Sequence, residues 1–152
     1  MIMLSSFLKR LLLARQFSMQ NGRINILGAE KIMLPQTLIL KLEENDKYFN
    51  LVKESIIEQL SIYSKNLGTN EKGILNVCEE IFESFGVGVL NVISHEENET
   101  ILIIKNPISL KLEENKTAFA IVEGLFSFIY DSCVKSKYEI KKNEIIVKIK
   151  RG

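Results

Sequence analysis

The sequence predicts an α+β domain in which an antiparallel sheet of about four to five strands carries several helices, mainly on one face. Apolar residues at spacings of three and four predict helices along much of the chain. Alternating apolar and polar residues predict two pairs of strands, within residues 89–104 and 138–150. Because strands joined as hairpins run antiparallel, these pairs favour an antiparallel sheet rather than a parallel one.

The composition is typical of a single soluble globular domain spanning residues 1–152. A chain of 152 residues buries a substantial core, and 46% hydrophobic and 26% charged residues are ordinary proportions. The formal net charge of +1 gives no general attraction to nucleic acid or to anionic membranes, so no nucleic-acid partner is expected. The Lys- and Ile-rich composition favours a cytoplasmic protein.

Residues 1–16 are predicted to form an amphipathic helix. Lys9 and Arg10 interrupt the apolar stretch, which is also too short to cross a bilayer, so no signal peptide or transmembrane segment is expected. The apolar face favours packing on this domain or on a second copy, which makes the helix a candidate homodimer contact. A peripheral membrane helix is the alternative. The apolar positions with helical spacing are Leu4, Phe7, Leu8, Leu11 and Leu12.

The next part of the chain is predicted to contain one strand and three helices. Gln20–Asn21–Gly22 is a turn pattern, and residues 23–27 alternate as a strand does. Residues 30–34 are expected to be irregular or extended. The predicted helices are residues 36–44, opened by Pro35; residues 47–66, capped by Asp46 and ended by Gly68; and a helix capped by Thr69 or Asn70 that ends before Gly86.

The last part of the chain is predicted to be a hairpin, an apolar helix and a second hairpin. The elements are strands 89–94 and 100–104 with a polar loop at 95–99, the helix at 116–134, and strands 138–141 and 144–150 around Lys142–Asn143. The helix is apolar around most of its circumference. Since no face is left to meet water, it must lie in a core or line an apolar cavity.

Four segments, taken in order, resemble the 4-vinyl reductase domain family. That family is similar in fold to haem-nitric-oxide-binding sensor domains and to subunits of Golgi transport tethering complexes. The likeness covers almost the whole chain. The segments are residues 11–17 together with Asn21–Gly22–Arg23–Ile24, then Phe85–Gly86–Val87–Gly88, Ile104–Lys105–Asn106–Pro107, and residues 119–125, an aromatic residue followed by Gly124 five positions later.

The resemblance implies a dimeric domain that binds a hydrophobic small molecule, such as a hydrocarbon, a lipid or a tetrapyrrole-like compound. Family members often carry cysteines before the apolar helix and in the last hairpin. Here Thr117–Ala118 and residues 139–147 contain none, so no metal is expected. The family name suggests vinyl-group reduction, but a fold does not determine an activity.

The candidate pocket wall combines the apolar helix with the end of the preceding one. Glu123 is the candidate polar anchor, although its expected position is at the surface beside Lys116 and Thr117. Gly124 weakens a helix, which indicates the close approach of a second helix or of a ligand. The candidate ligand-binding residues are Phe82, Phe85, Phe119, Val122, Glu123, Phe126 and Tyr130.

No catalytic constellation is visible in the sequence, so an enzyme is not expected, and neither is a cofactor. His95 is expected to be a solvated loop residue, and Cys78 and Cys133 to be reduced thiols in helical core positions. The first hypothesis is therefore a sensor or carrier for an apolar ligand. The second is a homodimeric tethering subunit with a filled core, and the third is a subunit of a tetrapyrrole vinyl reductase.

Overall fold

The computed structural model describes the backbone of residues 6–152 and the side chains from residue 8 onward. Leu4 and the side chain of Phe7, which belong to the predicted N-terminal stripe, lie outside that part. The elements in chain order are α1 (Ser6–Leu13), β1 (Phe17–Gln20), β2 (Arg23–Ile26), β3 (Ala29–Lys31), α2 (Gln36–Leu42), α3 (Tyr48–Leu67), α4 (Glu71–Ser84), β4 (Val89–His95), β5 (Glu99–Lys105), α5 (Lys116–Tyr130), β6 (Val134–Lys141) and β7 (Glu144–Arg151).

The strands form two antiparallel sheets, which confirms the predicted α+β class. The C-terminal sheet has four strands in the order β4-β5-β7-β6, and α4 and α5 pack against it. The N-terminal sheet has three short strands in the order β1-β2-β3. Its strands β1 and β3 were not predicted as strands, because they have four and three residues and too little alternation to stand out.

The turn between β1 and β2 explains why this short sheet forms. Asn21 and Gly22 both have positive φ, at 51° and 75°. Two successive residues with positive φ are typical of the tight hairpin turns whose twist matches that of the flanking strands. The turn therefore brings Gln20 opposite Arg23 and sets the register that continues to Phe17 and Ile26.

The boundaries of α3 and α4 follow local capping. The predicted Asp46 cap is wrong: α3 begins after Lys47, whose amide donates to Asn45 Oδ1 at 2.9 Å. Asn45, one residue before Asp46, forms an Asx turn with this hydrogen bond and replaces the predicted side-chain cap. Gly68 ends α3 in the left-handed conformation, as predicted. The side chain of Asn70 caps α4 by accepting from the Gly73 amide.

Helix α5 is shorter than predicted. It ends at Tyr130, where Asp131 adopts the left-handed conformation, and Val134 is already the first residue of β6. Val134 is buried and pairs with Arg151, so its apolar side chain belongs to the sheet face and not to the helix. An apolar residue that follows a helix is compatible with either assignment in the sequence. Pairing with β7 decides between them.

The core is centred on α5, which lies between α3, α4 and the four-stranded sheet. Gly124 allows α3 to approach closely, since an added Cβ would lie 2.8 Å from Ile56 Cβ and 3.0 Å from the Lys53 carbonyl oxygen. The buried Glu43 carboxylate holds the first turn of α5 by accepting from the Thr117 amide at 2.8 Å and from its hydroxyl at 2.6 Å. This acidic group lies where the helix dipole favours negative charge.

The N-terminal helix α1 packs on α4, where Leu11 is buried and Arg10 pairs with Glu80. Leu11 is therefore covered within its own chain, whereas Leu12 and Leu13 remain exposed. Among the residues from 6 to 152, no helix combines the length and the apolar character that crossing a membrane requires.

Candidate ligand-binding site

The seven residues proposed from the sequence as a pocket wall, here called the α5 cluster, lie on two adjoining helices. Five of them are on α5, Phe82 is on α4, and Phe85 follows α4 directly. Most are buried in the core, while Phe85 and Glu123 are partly exposed. The apolar residues of the α5 cluster thus belong to, or pack against, one continuous hydrophobic core.

Glu123 lies in a polar niche at the edge of this core and does not face solvent as expected. Its side chain is 13% exposed, and Lys53 Nζ on α3 lies 3.4 Å from Oε2. The Tyr138 hydroxyl on β6 donates to Oε1 at 3.1 Å. Burial and the negative charge of Glu123 raise the pKa of Tyr138, so its hydroxyl stays protonated and remains a donor.

Tyr138 also stacks on the aromatic part of the α5 cluster. Its ring lies 3.8 Å from the Phe119 ring, centroid to centroid, at an interplanar angle of 17°. Sequence reasoning missed Tyr138 and Lys53. Tyr138 alternates with Val134 and Ser136 toward the buried face of β6, so a longer predicted strand would have identified it. The position of Lys53 depends on the crossing of α3 and α5, for which the sequence carries no local signal.

A second polar group lies at the C-terminal end of α5. The Tyr130 hydroxyl donates to the Glu96 carbonyl oxygen at 2.9 Å and lies 2.6 Å from Thr100 Oγ1. His95 Nδ1 lies 2.7 Å from the same Thr100 oxygen. Since Tyr130 uses its one proton on Glu96, Thr100 donates to Tyr130, and a protonated His95 Nδ1 donates to Thr100. His95 is exposed as expected, yet it is held in a network.

The surface near these residues contains two depressions. One, of about 320 Å³, lies between α2 and the start of α5 and is lined by Leu40, Glu43, Glu44, Glu113, Glu114 and Lys116. The other, here called the α3 groove, has a volume of about 400 Å³ and a mainly apolar lining. Phe85 is the member of the α5 cluster that borders it. Its lining residues are Tyr48, Leu51, Val52, Ser55, Ile56, Gln59, Phe85, Thr117 and Ile121.

The cysteines differ from each other in environment. Cys78 is buried on α4, and burial raises the pKa of its thiol to about 12, so it stays protonated. The prediction of a core position is wrong for Cys133, which is exposed in the connection after α5 because the helix ends at Tyr130. Within residues 6–152, no three His, Cys, Asp or Glu side chains come together as a metal site would require.

Comparison with known proteins found a similar fold among solved structures but no similar sequence. No family model matches the chain, and no curated protein matches it in sequence. A solved structure that is similar to it is the crystal structure of the phenol-responsive sensory domain of the transcription activator PoxR with phenol. The TM-score is 0.71 at 12% sequence identity, and the match covers 97% of this chain and 92% of that one. The chain therefore shares its fold with that domain of PoxR.

Proposed function

We propose that this protein is a non-catalytic sensory or carrier domain for a small hydrophobic molecule, and that phenol-like aromatic compounds are the first class to test. The observation that supports this most directly is the fold shared with a phenol-responsive domain over 97% of the chain. The resemblance of the sequence to the 4-vinyl reductase family points the same way. Since a shared fold does not determine function, the proposal also needs a site with suitable chemistry.

The α5 cluster supplies that chemistry, with apolar walls and Glu123 as the polar anchor. The Tyr138 side chain, itself a phenol, already stacks on Phe119 and donates to Glu123. A phenolic ligand makes the same two interactions when Tyr138 withdraws. Tyr138 lies on β6, the edge strand of the four-stranded sheet, and pairs there with Val147 of β7. Lys53 contacts the other carboxylate oxygen and holds Glu123 in place during the exchange.

Calorimetric titration of the purified protein with phenol and with toluene tests this proposal. We expect saturable phenol binding and a rise in the melting temperature, since a ligand that binds only the folded state stabilises it by about 2.7 kcal/mol at one hundred times its Kd. Glu123→Gln keeps the size of the side chain but removes its charge. It should weaken phenol binding by roughly tenfold, as expected for loss of a charge-assisted hydrogen bond, and leave toluene binding unchanged.

Glu139→Gln is the matched control, because Glu139 is exposed and adjoins Tyr138 on β6. This variant should bind phenol like the wild-type protein. Absence of saturable binding by both compounds, or equal effects of the two substitutions, would contradict the proposed site. A folded protein that binds neither compound would favour the second hypothesis, a homodimeric tethering subunit with a filled core.

The same domain is proposed to act as a homodimer. Ile32 and Met33 after β3 are each 80% exposed, Leu13 at the end of α1 is 85% exposed, and Leu34 is 45% exposed. Ile32, Met33 and Leu34 follow one another in the chain, and consecutive exposed apolar residues are typical of association surfaces. Because Leu11 is covered by its own chain, these residues replace it as the candidate contact. This observation also favours the second function, a homodimeric tethering subunit.

A further inference from the structure

Lys31, the last residue of β3, carries an amine that is buried without a hydrogen-bond partner in the described part of the chain. Its Nζ lies 5.1 Å from the centre of the Tyr63 ring and 5.4 Å from that of the Phe85 ring. The two rings attract the cation through their π faces. The rings are not conventional hydrogen-bond acceptors. The desolvated ammonium therefore has three N–H groups without an acceptor oxygen among the described residues.

Gln59 provides a second unsatisfied group in the same region. Its Oε1 is buried without a partner, while its Nε2 lies 3.3 Å from Ser55 Oγ. Gln59 and Tyr63 are four positions apart on α3, so both side chains lie on the same helix face. A half-turn of the amide lets Oε1 accept from the Ser55 hydroxyl and frees Nε2 as a donor. The amide then has an N–H available for a ligand.

Gln59 lines the α3 groove together with Ser55 and Phe85. Lys31 is not part of this lining, but its amine contacts the Phe85 ring. The groove's volume of about 400 Å³ falls within the range of small-molecule sites, roughly 300–1,000 Å³. The remaining lining is mainly apolar, with Leu51, Val52 and Ile56 among its residues. The groove therefore has a mainly apolar wall that includes the Gln59 amide, and an unpaired cation lies against the ring of its lining residue Phe85.

We propose that the α3 groove binds a molecule with an apolar body and a carboxylate, and that the carboxylate pairs with Lys31 and with the Gln59 amide. One ammonium and one amide N–H match the single charge and the two oxygens of a carboxylate. The flexible four-carbon stem of Lys31 allows the amine to move past the edge of the Phe85 ring into the groove. The apolar body lies along α3 against Leu51, Val52 and Ile56.

The electrostatics of the free protein support this assignment. Desolvation lowers the pKa of the Lys31 amine to about 8, so at neutral pH most molecules hold a buried ammonium that no carboxylate among the described side chains neutralises. A ligand carboxylate relieves this cost by pairing with the charge in a partly desolvated place. The site is separate from the Glu123 niche, and the inference does not rest on phenol binding there.

The test compares octanoate with octanol, which has an equally long apolar chain without the charge. Isothermal titration of the whole protein should show octanoate binding at least tenfold more tightly than octanol. Lys31→Met removes the charge and keeps an unbranched apolar side chain, so the two affinities should become equal. Lys31→Arg should retain the preference for octanoate. Ser55→Phe, a change at an exposed position of the groove wall, should abolish octanoate binding while Lys31 is unchanged.

Lys137→Met is the matched control, because Lys137 is exposed on β6, outside the groove. Circular dichroism of each variant establishes that it is folded. Equal affinities of the wild-type protein for octanoate and octanol, or no saturable octanoate binding, would overturn the proposal. Octanoate binding that is insensitive to both Lys31→Met and Ser55→Phe would do the same, since it would place the ligand elsewhere. Glu123→Gln should leave octanoate binding unchanged, which separates this result from the phenol test.

Discussion

At the scale of single residues, buried polar groups distinguish this domain from a purely apolar core. Thr100 is fully buried, and its hydroxyl connects Tyr130 on α5 with His95 at the end of β4. A buried hydroxyl with two partners ties helix and sheet together at a defined position. Glu123 performs a similar role in the middle of α5, where it joins Lys53 and Tyr138.

Thr100→Val tests the first of these networks. Valine has nearly the same shape but no hydroxyl, so Tyr130 and His95 each lose a partner. We expect the free energy of unfolding to fall by about 0.5–1.5 kcal/mol, the usual net contribution of one hydrogen bond, because Tyr130 keeps its bond to Glu96 and His95 is exposed. Urea denaturation followed by circular dichroism measures this. Thr100→Ser keeps the hydroxyl and is the control. If serine and valine variants were equally destabilised, the loss would come from packing and not from the network.

At the scale of the elements, the α3–α5 crossing positions both candidate sites. Gly124 lets the α3 backbone come close enough for Lys53 to reach Glu123. The same helix α3 presents Tyr63 to Lys31 on β3 and Gln59 to the α3 groove. Shifting α3 outward would therefore separate the polar partners of the Glu123 niche and alter the α3 groove.

Gly124→Ala tests the close crossing. At a solvent-exposed helix position, replacing glycine by alanine stabilises the folded protein by up to about 1 kcal/mol, because alanine is the better helix former. Here the new methyl group meets Ile56 Cβ at 2.8 Å, so we expect destabilisation by about 1–3 kcal/mol, as in other overpacked cores. Thermal and urea unfolding measure the change. Ile56→Ala keeps Cβ but removes Cγ2, which also lies 2.8 Å from the added methyl group, so adding Gly124→Ala should cost less there. Additive costs would contradict a direct clash with Cγ2.

At the scale of the whole molecule, the exposed apolar residues after β3 and at the end of α1 are the proposed contact of a homodimer. Light scattering should give a mass of twice the 17.4 kDa of one chain for the wild-type protein. Met33→Lys places a charge in the proposed contact and should weaken the dimer by at least roughly tenfold, because an ammonium is costly to bury unpaired. Leu51→Lys, at another exposed apolar position, is the control and should remain dimeric. A monomeric wild-type protein would overturn the proposed homodimer.

Much of the fold was predictable, because its longer elements have local periodic patterns. Helices α3, α4 and α5 and the hairpin β4–β5 were expected near their observed places. Strand β1 was missed, since four residues carry little periodic signal. The end of α5 was misplaced because Val134 is apolar and suits a helix face or a strand face equally. The candidate wall was found as a set of core residues, but Glu123 was expected at the surface, since its neighbours Lys116 and Thr117 gave no hint of Tyr138.

The sequence by itself determined the α+β class, the central apolar helix and the absence of a local catalytic motif, because each depends on residue types at short, regular spacings. Only the tertiary structure decided that Lys53, Glu123 and Tyr138 meet, and that Lys31 lies between Tyr63 and Phe85. The physical reason is the same in both cases. These groups come from elements far apart in the chain, and the crossing of helices and the pairing of strands bring them within reach.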